Sequence, residues 1–244
     1  MLAQVGSASV AGVESHAVSV EINISVVLPS FVVVGLPHSA VREGLERVIA
    51  ALSHVGHQVS SKRVTVNLAP ADVPKEGSAF DLPIAVAVLV ALGAVSQEYV
   101  YGLCLVGELG LDGRLRPIRG ALSIAAGCQA RGGAKLLLAW ANAREAAAVE
   151  GVEALGAETL KEVLAHLSGR NPIGPDPARY GLPPRASSGP ATRSVRRAWA
   201  AVREAGARDR RGRRPQPPVD RTPRIRQDDA GPATSWDPSS PHGR

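Results

Sequence analysis

The sequence predicts an α+β fold, one mixed β-sheet with helices packed on it, over residues 1–170. Three observations predict it. The first third alternates apolar and polar residues with the period of two that half-buried strands require. From residue 39 the spacing turns helical, and short strand and helix patterns then follow one another to residue 169. After Arg170 the periodicity stops and the composition changes in kind.

Residues 3–10 and 16–27 read as an antiparallel hairpin, with Val18, Val20, Ile22 and Ile24 on one face and Ser19, Glu21, Asn23 and Ser25 on the other. A third strand, residues 31–34, ends at Gly35-Leu36-Pro37. The helix over 39–55 is capped by Ser39 in this reading. It buries Val41, Leu45, Val48, Ile49, Leu52 and Val55, while Arg42, Glu43, Glu46 and Arg47 face water. Residues 63–68 alternate as a strand, and residues 69–77 form a proline-containing loop. Residues 78–92 are apolar nearly all round, so this helix is expected to be buried, with Ser78 as its N-cap. Residues 103–109 and 113–118 read as two strands joined through Asp112-Gly113, a dipeptide suited to positive φ. Helix 121–130, strand 135–140, helix 142–150, strand 152–155 and helix 160–167 complete the domain.

Residues 1–175 carry 13 Lys+Arg against 15 Asp+Glu, whereas residues 176–244 carry 15 Arg, no Lys and 7 acidic residues. The formal charge of +6 therefore belongs to the tail, and the folded part is not expected to present a basic binding face. Residues 171–192 read as a Pro/Gly/Ser linker and residues 193–244 as a disordered Arg/Pro-rich tail. The cysteines, Cys104 and Cys128, lie in apolar segments without ligand spacing and read as buried reduced thiols. The N-terminal residues lack a signal-peptide pattern, and the longest apolar stretch, residues 84–93, is too short to span a bilayer. A cytoplasmic protein with no membrane partner is expected.

Four segments carry a family resemblance: Phe31-Val32-Val33-Val34-Gly35-Leu36-Pro37, Arg63-Val64-Thr65-Val66-Asn67-Leu68-Ala69-Pro70-Ala71-Asp72, Pro74-Lys75-Glu76-Gly77-Ser78-Ala79-Phe80-Asp81-Leu82-Pro83-Ile84-Ala85 and Gly107-Glu108-Leu109-Gly110-Leu111-Asp112-Gly113. Together they resemble the N-terminal domain of the ComM/YifB-type magnesium-chelatase-like AAA+ ATPases. That resemblance implies a fold similar to the proteolytic domain of Lon proteases, itself a variant of a ribosomal-protein fold. For the full-length family it implies ATP and magnesium as cofactors, DNA as partner, a hexameric ring formed through the ATPase domain, and a role in branch migration during natural transformation.

The Lon likeness raises a peptidase alternative, in which a Ser is activated by a Lys. Aligned without gaps, the Ser position falls on Ala79 and the Lys position on Leu122. Ser78 is one residue out of register, and no lysine occurs between Lys75 and Lys135. The sequence therefore names no catalytic residue. Asp81, Glu108 and Asp112 sit at a helix start and a hairpin, where capping and turn formation account for them. His16, His38, His54, His57, His166 and His242 are dispersed, and no metal site is expected.

An ATPase of this family would continue into a phosphate loop, Gly-x-x-x-x-Gly-Lys-Ser/Thr, and the sequence contains none. No nucleotide-binding residue and no cofactor are therefore expected for this chain. Residues 214–230, however, are encoded by codons that, read one base later, admit Gly-His-Asn-Leu-Leu-Leu-Ile-Gly-Pro-Pro-Gly-Ser-Gly-Lys-Thr-Met-Leu, a strand running into such a loop. The tail thus reads as an out-of-frame remnant of the ATPase domain and the chain as truncated. The second alternative is a basic tail that binds nucleic acid.

Overall fold

The computed structural model describes residues 2–26, 28–35, 37–133, 135–174 and 180–181. Among the described residues, nine strands and five α-helices follow in the order β1 (Leu2–Ala11), β2 (Glu14–Ser25), β3 (Ser30–Val34), α1 (Ser39–His54), β4 (Arg63–Ala69), α2 (Asp81–Ala91), β5 (Leu103–Leu105), β6 (Glu108–Leu109), β7 (Leu115–Arg116), α3 (Ala121–Ala130), β8 (Lys135–Ala139), α4 (Trp140–Ala147), β9 (Glu153–Ala157) and α5 (Leu160–Leu167). Seven strands form a mixed sheet ordered β3-β4-β2-β1-β5-β8-β9, as the α+β reading expects. Only β2 runs against the rest, pairing antiparallel with β1 and β4, while all other neighbours are parallel.

The alternation read in β2 holds for its apolar face, but the opposite face is partly covered as well, with Ser19 6% exposed. Val18, Val20 and Ile22 are fully buried under α2, whereas Asn23 on the opposite face is exposed. The helix expected to be apolar all round, α2, is buried at every position except Val90, lying between the sheet and α1. A second core lies on the other face, where α3 and α4 cover β1, β5, β8 and β9 through Ala8, Cys104, Ile124, Leu136 and Ala143. No helix among the described residues is long and apolar enough to cross a membrane.

Two expectations are corrected. Neither Ser39 nor Ser78 caps its helix: the cap positions are His38 and Phe80, and neither bonds the helix through its side chain. The strand expected over 103–109 divides at Gly107, so that β5 joins the main sheet while β6 pairs with β7 in a separate two-stranded ribbon. Gly107 divides it because its N–H bonds the Ala79 carbonyl at 2.9 Å and its carbonyl accepts the Leu82 N–H at 3.0 Å, taking both groups out of the ladder. Two residues beyond position 170 also touch the fold. Ile173 packs on the core, and Tyr180 is buried against Trp140, with ring centroids 4.9 Å apart. The expectations for residues 182–244 lie outside the described residues.

Tyr180 Oη accepts the Gly156 N–H at 3.0 Å and donates to the Ala154 carbonyl at 3.2 Å, which ties it to β9. Tyr180→Phe removes both bonds while keeping the ring, and is expected to cost about 1–2 kcal/mol in urea denaturation. An unchanged midpoint would show that the two hydroxyl bonds to β9 add no stability.

Candidate functional site

The four segments that carry the family resemblance converge on the N-terminus of α2. The chain after β3 meets the loop after β4 in a bridge between Pro37 and Lys75, and the His38 N–H bonds the Lys75 carbonyl at 3.1 Å. The loop leads through Ser78 and Ala79 into α2, which docks on Gly107 as described above.

Asp81 sits at the centre. Only 1% exposed, its carboxylate receives Arg47 Nε at 2.7 Å, Arg47 Nη2 at 3.3 Å and the Leu109 N–H at 3.2 Å, so one side chain joins α1, α2 and β6. Burial pushes its carboxyl up to about 6, against the lowering pull of Arg47 and the Leu109 N–H. Arg47 was expected to face water, but it turns inward because Gly44, one turn earlier on α1, leaves the space. A Cβ on Gly44 would lie 2.2 Å from Asp81 Oδ1. The hint in the sequence was this small residue inside an otherwise ordinary helix.

Ser78 Oγ donates to Glu108 Oε2, and Glu108 Oε1 lies 3.6 Å from Arg116 Nη1. The structure thus places Ser78, Asp81 and Glu108 in one region, through contacts other than capping. Asp112 is apart from them, accepting the Arg114 N–H at 3.1 Å inside the expected turn. Lys75, which the sequence did not single out, is fully buried. Its amine donates to the Pro70 carbonyl, and burial lowers its pKa while Asp72 opposes. The Ser78 hydroxyl is therefore bonded to a carboxylate and the Lys75 amine to a backbone carbonyl.

A groove of about 580 Å³ opens beside this cluster, lined by Val10, Glu76, Ser78, Ala79, Arg119 and Ile124 among others. Ala79 lies in its wall, whereas Leu122, the other position named by the peptidase alternative, is 48% exposed. Among the described residues no group of three or more His, Cys, Asp or Glu side chains could hold a metal ion. His166 is occupied otherwise, accepting the Ile173 N–H at 2.9 Å, and His242 lies outside the described residues. Cys104 and Cys128 are free and buried, as read from the sequence, and the fold brings them into contact. Their mutual hydrogen bond pushes Cys104 up and Cys128 down, and the Arg131 guanidinium, 3.8 Å from Cys128 Sγ, adds to the lowering.

Comparison with known proteins agrees with the sequence resemblance. Residues 20–142 match the family model described as subunit ChlI of Mg-chelatase. The chain is 40% identical to YifB of Escherichia coli over 162 residues, which cover 66% of this chain and 32% of that protein. It is 38% identical to the competence protein ComM of Haemophilus influenzae over 172 residues, 70% of this chain and 34% of that protein. A Mycobacterium tuberculosis protein, Rv2897c, is 36% identical over 163 residues, 67% of this chain and 32% of its own length. The chain thus spans about a third of the length of the curated relatives it matches. With its ChlI match and its YifB and ComM relatives, the chain belongs to the ComM/YifB-type magnesium-chelatase-like family.

Proposed function

We propose that residues 1–170 are the non-catalytic N-terminal domain of an ATP-driven DNA-processing protein, and that residues 214–230 are an out-of-frame remnant of its motor. The observation that carries this reading is the extent of the match: 36–40% identity across two thirds of the chain, yet only a third of each relative. The shifted reading of residues 214–230 supplies the segment that should come next, and the competence role in the name of ComM supports DNA as the partner of the full-length protein. The peptidase alternative gains no support from the site, where Ser78 is bonded to Glu108 and no lysine amine is bonded to either.

A nucleoside triphosphate is held by convergent backbone N–H groups, a helix N-terminus, a lysine and a magnesium ion bound by Ser/Thr. The chain's four lysines, Lys62, Lys75, Lys135 and Lys161, follow no glycine-rich loop of that spacing. Calorimetry with Mg-ATP at about 0.15 M salt is expected to show no binding by this chain, and micromolar binding once the reading frame is restored at the linker. Micromolar binding by the chain itself would overturn the proposal, as would a restored frame that binds no nucleotide.

A further inference from the structure

The groove beside Ser78 has an unusual wall, the free edge of β1. The β1–β2 hairpin turns through Gly12-Val13 and closes on the pair Ala11 and Glu14. In a two-residue hairpin the closing pair exchanges its hydrogen bonds, so Ala11, Ser9, Ser7, Val5 and Ala3 bond β2. The backbone groups of Val10, Ala8, Gly6 and Gln4 then point to the opposite edge. Two of these four are visibly taken up on that edge. The Gln97 side chain bonds both backbone groups of Gln4, at 3.1 Å and 2.6 Å, and Gly6 pairs with Cys104 of β5.

Past Gly6 the edge has no partner. β5 ends at Leu105, and Gly107, the next residue that could extend the ladder, has given its N–H and carbonyl to α2. Among the described residues no hydrogen bond reaches the outward N–H and C=O of Val10, and the Ala8 C=O has lost the Gly107 N–H that would meet it in the ladder. Both residues line the groove, with Ala8 fully buried on its floor and Val10 half-buried nearer the opening. Unpaired backbone groups in so sheltered a place are rare in folded proteins, and the complement of a strand edge is another strand.

The position of the groove points the same way. It lies at the carboxyl ends of β1 and β5, where α2, which precedes β5, packs on one face of the sheet and α3, which follows it, packs on the other. Crevices at such a change of side, outside the carboxyl ends of parallel strands, are where open α/β sheets bind their ligands. A volume of about 580 Å³ is of ligand-site size. Ala79, Ile118 and Ile124 give apolar surface for alternate side chains, and Glu76 at the rim has no ion-pair partner among the described residues.

We infer that this groove binds an extended peptide, which adds a strand to the edge of β1 at Val10, sets small apolar side chains against Ala79, Ile118 and Ile124, and places a basic residue near Glu76. Recognition is through backbone hydrogen bonds, with no bond cleaved. The probe is a capped, fluorescein-labelled Val-Thr-Val-Lys-Val peptide, titrated with the full chain and read by fluorescence anisotropy. Saturable binding is expected, weakened about tenfold or more when alternate peptide amides are N-methylated, which removes their donors and leaves charge and side chains unchanged.

Val10→Pro deletes the N–H that faces the groove and leaves the β2 ladder intact, because the bonds to β2 come from Ser9 and Ala11. It should weaken binding by a similar factor and keep the melting temperature within a few degrees. Should that variant fail to fold, the N-methylated peptide against the unaltered chain still decides. Equal affinity for both peptides, or no saturable binding, would overturn the inference.

Discussion

Gly35→Ala is expected to destabilise the domain by about 3–5 kcal/mol, enough to leave much of a marginal protein unfolded. Two costs combine there. Gly35 has φ +97°, a conformation that L side chains rarely adopt. Its position is also crowded, since a Cβ would fall 2.1 Å from the Leu68 carbonyl oxygen, and backbone at the end of a paired strand cannot swing aside as a side chain can. This close approach lets the chain leave β3 over the end of β4 and enter α1 through Pro37 and His38. Gly12, in the β1–β2 turn, separates the two costs: its φ is +63°, yet nothing lies within 4 Å of a Cβ built there. Gly12→Ala should therefore cost only about 1 kcal/mol, the conformational part alone. Urea denaturation followed by circular dichroism compares the two. Equal losses would mean that the contact with Leu68 carries no energy.

Period-two alternation in β2 and the all-apolar character of α2 were legible in the sequence because burial acts on each side chain singly. What the sequence did not show depends on partners distant along the chain. Nothing local separates Gly107 from the residues around it; the strand divides there because the first turn of α2 claims its backbone groups. Ser39 and Ser78 have the composition of helix caps, yet Ser78 finds the Glu108 carboxylate, 30 residues away, and the helix begins without it. Arg47 falls on the polar face of the α1 pattern and is drawn inward by a buried carboxylate that only tertiary packing supplies. Tyr180 lies in a proline-rich stretch without periodicity, so its docking on β9 left no pattern to read. The groove itself was invisible for the same reason, since an unpaired strand edge is a property of which strands fail to meet. The four family segments, far apart along the chain, all meet at the N-terminus of α2.

Asp81 offers the sharpest test of that region. Its carboxyl titrates near 6 in the folded chain against 3.8 ordinarily, so between those values the native state holds a proton that the unfolded state has released. The stabilisation from this group is therefore complete below about pH 4, and it is lost as the pH rises toward 6. At about 1.36 kcal/mol per unit, the swing is roughly 3 kcal/mol. Asp81→Asn cannot titrate, but its side-chain oxygen can still accept the Leu109 N–H and one Arg47 bond. Measured by denaturation at pH 4 and pH 7, the Asn variant should gain about 2.4 kcal/mol on the unaltered chain as the pH rises. The subtraction matters, because exposed carboxylates elsewhere change stability with pH in both proteins alike. Asp81→Ala differs in kind. It leaves the Leu109 N–H unsatisfied in the core and Arg47 without its partner, and it should fall about 3 kcal/mol below the Asn variant at pH 7. A constant difference between the Asn variant and the unaltered chain across this range would show that Arg47 holds Asp81 ionised throughout. The buried carboxylate would then be a fixed charge clamp between α1 and β6, with no proton to exchange.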